Sequence, residues 1–234
     1  MPLSHGDKQR IIQNNHKISE LLRENEDILI EAGYDPPHTN FALKGNDKIA
    51  FPSGYIRTVG VLIKAYDLKR ICPNTRTRHN ITYALETADL INFILNRVHI
   101  WGSVETIFIK LAVVNLVSVM EAIVLEAANN ICCTPGDCGK QEMCTKHFSK
   151  AERNNAKKAI EKLVSIGVLN YEDSKLERIQ EIIDLRNRIH IRLTAGNEMM
   201  LNDFNKDLYN EVAGLLWSID TQISSRGVPM YGCE

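Results

Sequence analysis

The chain has 234 residues, 44% of them hydrophobic and 24% charged, a globular balance with length enough for a sizeable core, which excludes an intrinsically disordered polymer. A formal net charge of −1 excludes coating of nucleic acid through a whole-molecule field and leaves only local basic patches for that purpose. Six cysteines, together with a polar rather than basic-then-apolar start over Met1 to Arg10, point to a reducing, cytoplasmic setting in which free thiols or metal ligation outrank disulfides.

In chain order, Ile11, Ile12, Ile18, Leu21, Leu22, Ile28 and Leu29 recur at helical spacing and predict one long amphipathic helix from Asp7 to Ala32, ended by Gly33. Residues 34–54 carry Pro36, Pro37, Gly45, Pro52 and Gly54 and read as a loop. A helix follows from Tyr55 to Ile71 and stops before Pro73, which disfavours helical geometry in its predecessor. Thr82 to His99 is the next helix, its apolar set wide enough for burial. Val104 to Asn129 is apolar on most sides and is expected at the centre of a bundle. Lys110, Asn115, Glu121 and Glu126 interrupt it and argue against a membrane span.

Residues 131–148 break the periodicity and form an inserted cysteine-rich loop. Ser149 with Glu152 then makes a capping box for a helix running to Ile166 before Gly167. Ser174 starts a helix through Leu176, Ile179, Ile182, Ile183, Leu185 and Ile189 that ends before Gly196, and a last helix spans Asn202 to Ser224. The expected fold is all-α: a multi-helix up-and-down bundle over residues 101–234, with residues 1–100 as an N-terminal helical region packed on it.

The segment Asp184-Leu185-Arg186-Asn187-Arg188-Ile189-His190 sets Arg186 and His190 four residues apart, hence about 40° apart on a helix. Asn187 borders the same face, while Leu185 and Ile189 turn to the core. Arginine offers a planar fork of donors to phosphate oxygens and histidine exchanges a proton near neutral pH, the requirements of metal-independent RNA cleavage. One imidazole does not readily act as both base and acid, so two such faces meeting on a dimer axis would complete the site. The same spacing also suits a solvated face on which Asp184 or Glu181 pairs with Arg188.

Cys132, Cys133, Cys138, Cys144 and His147 crowd the inserted loop. Cys132 or Cys133 with Cys138, Cys144 and His147 would supply the four ligands of a structural zinc site; reduced packing thiols and a loop disulfide are the alternatives. Lys140, Lys146, Lys150, Arg153, Lys157, Lys158 and Lys162 make this loop and the next helix basic, either as an RNA-docking surface or as a solvated face. Lys69, Arg70, Arg76, Arg78 and His79 form a second basic run. No phosphate-binding glycine loop, nucleophile elbow or helical metalloprotease signature occurs, which disfavours nucleotide hydrolysis and acyl transfer.

Two segments together resemble the HEPN superfamily of helical-bundle proteins, many of them RNA-cleaving enzymes of bacterial defence and toxin systems. Leu185-Arg186-Asn187-Arg188-Ile189-His190 looks like the family's arginine, polar residue, spacer and histidine, and the stretch from Val114 through Glu121 to Ile123 is similar to the earlier helix bearing a buried acid. The likeness covers residues 101–224, and three residues separate Arg186 from His190, fewer than in the family pattern. The resemblance implies an endoribonuclease, here expected as a homodimer, in which Arg186 steadies the phosphate, His190 transfers the proton, Asn187 is the adjacent polar residue and Glu121 positions them. The other expectation is a non-catalytic module that dimerises or binds RNA or a protein partner.

Overall fold

A computed structural model describes residues 3–34, 43–44, 47–48, 54–100, 102–130, 148–187 and 204–225. Among them the chain is all-helical, with no strand. Chain contacts divide it into two units, Met1–Pro52 and Ser53–Glu234.

The first unit holds α1, His5–Glu31, whose start is fixed by Ser4: its Oγ accepts from the Asp7 N–H at 3.1 Å. Gly33 follows the helix at φ 84°, the left-handed geometry that ends helices. None of the α1 residues is buried.

The second unit is built around α5, Ser103–Asn130, whose Ala112, Val117, Met120, Ile123, Val124 and Ala127 are fully buried. Three longer helices surround it: α4 (Thr75–Arg97), α8 (Asp173–Asn187) and α9 (Lys206–Ser225). Four shorter ones, α2 (Val59–Ala65), α3 (Leu68–Ile71), α6 (Lys150–Arg153) and α7 (Ala156–Ser165), are the other helices among its described residues, and of these α3, α6 and α7 also touch α5. By length and composition α5 could cross a bilayer, but half of its most apolar window is buried inside this fold.

Several boundaries depart from the sequence expectation, each for a local reason. The helix expected over 55–71 is two pieces, because Asp67 adopts φ 43°, and Arg70 Nε bonds the Asp67 carboxylate at 2.5 Å. The helix expected from Thr82 begins at Thr75, where Asn74 Oδ1 accepts from the Thr77 N–H at 3.1 Å. Ser149 and Glu152 do form the expected capping box, but the helix beyond it breaks after one turn. Asn155 caps a second start by accepting from the Lys158 N–H at 3.1 Å, the role to which asparagine is suited. Gly167 at φ 74° closes α7 as expected.

Side chains then tie the helices together. Arg57, ahead of α2, grips Asp89 of α4 through Nε at 2.8 Å and Nη2 at 2.7 Å. Arg178 of α8 makes the same two-pronged contact with Glu211 of α9, both at 2.8 Å, and these hydrogen bonds, with the charge behind them, lower the Glu211 carboxyl from its ordinary value. These forks fix orientation as well as distance.

Candidate functional site

The face singled out by the sequence begins on the last turns of α8. There Ile179, Ile182, Ile183 and Leu185 are buried while Arg186 is exposed, as the amphipathic pattern requires. The Arg186 guanidinium reaches across to α5, where Nη1 donates to the Glu121 carboxylate. The pair is asymmetric, since 13% of the Glu121 side chain is exposed against 46% for Arg186. Burial pushes the Glu121 carboxyl up from its ordinary value, and the charge and hydrogen bond of Arg186 pull part of that back. A largely buried carboxyl group on the central helix is thus paired with a cation at the surface.

This pair forms one wall of a groove of about 380 Å³ bordered by Glu121, Leu125, Asn154, Asn155, Lys157, Ile183, Asp184 and Arg186. Its other charged pair is Lys157 of α7 with Asp184 of α8. Asp184 therefore pairs across the groove, and Glu181 pairs with Arg178. Arg186 has five guanidinium N–H donors, one of which is directed to Glu121; with half the side chain exposed, a groove ligand bearing oxygen acceptors can meet the rest.

Of the predicted residues, Arg186 and Glu121 meet directly. Asn187 is the last residue of α8, and its side chain lies outside the described residues, as do His190 and the five proposed zinc ligands Cys132, Cys133, Cys138, Cys144 and His147. Among the described residues no cluster of three or more metal-ligating side chains occurs. From the first basic run, Lys157 shares the groove with Arg186. In the second run, two guanidiniums serve the backbone: Arg70 donates to the Ser224 carbonyl at 2.7 Å, and Arg78 to the Cys72 carbonyl at 2.9 Å.

Sequence reasoning missed Asn154 and Asn155 as groove residues. The signal was available, because two adjacent asparagines inside a helical pattern favour a cap over continuation. It also gave no reading of Cys72. That thiol is buried, pushed up to about 12 by burial and then by Glu126, and so is a packing group rather than a nucleophile. Searches against protein-family models, curated proteins and solved structures return no match to this chain.

Proposed function

We propose that this chain is a HEPN-like up-and-down bundle of the cytoplasm that cleaves RNA without a catalytic metal, using Arg186 and His190 with Asn187 beside them. The observation that carries the reading is the tether between Arg186 and Glu121 at the edge of a polar groove. It fixes a half-exposed guanidinium where a phosphodiester could lie, and Lys157 adds a second cation to the same groove. In this reading His190 takes the proton from a 2′-hydroxyl, Arg186 stabilises the charge that develops on the phosphorus centre, and the histidine of a second copy protonates the leaving oxygen.

The test is RNA turnover by wild type, His190→Ala and Arg186→Lys. His190→Ala should lose cleavage while its thermal melt is unchanged. Arg186→Lys keeps a positive charge near Glu121 but loses the fork, and should cleave more slowly by about 100-fold, the cost of an oxyanion donor. Indistinguishable products from wild type and His190→Ala would defeat the nuclease reading. They would leave a non-catalytic dimerisation or binding module, which is favoured by the fact that both groove cations already have carboxylate partners.

The cysteine-rich loop is assigned a structural zinc in the same proposal, with Cys132 or Cys133, Cys138, Cys144 and His147 as ligands. Elemental analysis of extensively dialysed protein should find about one zinc per chain, in keeping with a closed four-ligand site. A content far below that discards the ligand set.

A further inference from the structure

α1 carries an apolar stripe that is not buried: Ile18, Leu21 and Ile28 remain 55%, 58% and 62% exposed. Its residues fall into a heptad, with Ile11, Ile18 and Asn25 at one seam position and Asn14, Leu21 and Ile28 at the other. Such a seam is stable when a second helix closes it, and a polar residue within it selects register.

Charge decides which second helix fits. The first half of α1 carries Lys8, Arg10 and Lys17 against Asp7 and is net positive. The second half carries Glu20, Glu24, Glu26, Asp27 and Glu31 against Arg23 and is net negative. Two parallel copies would set like halves side by side. Reversing one copy sets each basic half on an acidic half. With the seam layers Ile11 on Ile28, Ile18 on Leu21 and Asn14 on Asn25 of the other copy, the flanking positions bring Arg10 to Glu31 and Lys17 to Glu24. One register therefore matches apolar to apolar, amide to amide and cation to anion.

We infer that α1 is a self-association element that pairs antiparallel with α1 of a second copy of this chain. The inference uses no residue of the groove, and it supplies the second copy whose histidine the RNA reading calls for; the dimer lost in Ile18→Asp and the cleavage lost in His190→Ala are separate readouts. It also gives the first unit a role that none of its described residues fulfils by entering a core.

Sedimentation velocity on the full chain, across a range of concentrations, tests it. Wild type should be a dimer, and Ile18→Asp should be a monomer. Because an aspartate in the seam also weakens the helix itself, charge reversal supplies the second arm. Lys17→Glu and Glu24→Lys should each weaken dimerisation by about ten-fold, since each replaces two attractions by two repulsions, while the double variant should recover wild-type affinity with the pair inverted. A monomeric wild type overturns the inference, whether α1 stays uncovered or closes on an apolar stripe of its own chain such as Val104, Ile107 and Leu111 of α5, 45–48% exposed. So does a dimer that Ile18→Asp and both single reversals leave intact.

Discussion

Replacing Asp220 by Asn is expected to raise the thermal midpoint by about 5–10 °C near pH 8 and to change it little near pH 4. Asp220 sits on α9 with 3% of its surface exposed, and its Oδ1 is buried without a hydrogen-bond partner. Burial pushes its carboxyl up to about 7, the Asp67 charge adds to the rise, and Arg70 offsets part of it. Arg70 is already committed to Asp67 and to the Ser224 carbonyl at the end of α9. An open chain titrates such a group near 4. The folded form thus holds its proton where the unfolded form has lost it, and the stability this confers is complete below about pH 4 and lost as the pH climbs to about 7. Removing the charge should restore about 2–4 kcal/mol in the alkaline range, with part of the full conversion forgone because the amide brings donors of its own. Melts of both proteins across this range check it; parallel curves would mean that Asp220 is not the group being discharged.

Arg186→Ala should destabilise the protein by about 1–3 kcal/mol near pH 8, a figure reduced from that for fully buried pairs because the guanidinium is half-exposed. The cost comes mainly from what remains. Without Arg186, Glu121 keeps its burial and loses the two influences that lower its pKa. Its folded value then rises further above the unfolded one, so the deficit should shrink as the solution is acidified and the carboxyl takes up a proton. Glu121→Gln in the Arg186→Ala background should recover part of the loss at alkaline pH. Chemical denaturation of the four proteins of this cycle measures the coupling. Simple additivity would show that the two side chains do not sense each other.

Local order was well written in the sequence. The central helix is expected over 104–129 and is found at Ser103–Asn130, because a helix apolar on most sides over that length is placed at the core of a helical protein. The capping box at Ser149 was legible because both partners lie within three residues. What failed locally were the breaks: Asp67 turns left-handed without being glycine, and its hold on Arg70 appears only when the turn is built. The cross-helix partners were less accessible still. Glu121 stands out as an interruption of the apolar helix, but its pairing with Arg186 spans 65 residues; helical periodicity is blind to such separations, and only the family likeness linked the two. Asp220 gave no signal, since a single aspartate in an amphipathic pattern reads as a solvated position until neighbouring helices close over it.

The helices hold fixed points on both sides of residues 131–147. Asn130, the last residue of α5, donates through Nδ2 to the Ile71 carbonyl at 3.1 Å and to the Glu126 carbonyl at 2.8 Å. At the other end Phe148 is 2% exposed in the hydrophobic core. Asn130 and Phe148 therefore both belong to the scaffold, and the packing of the helices sets the distance between the two ends that residues 131–147 must join.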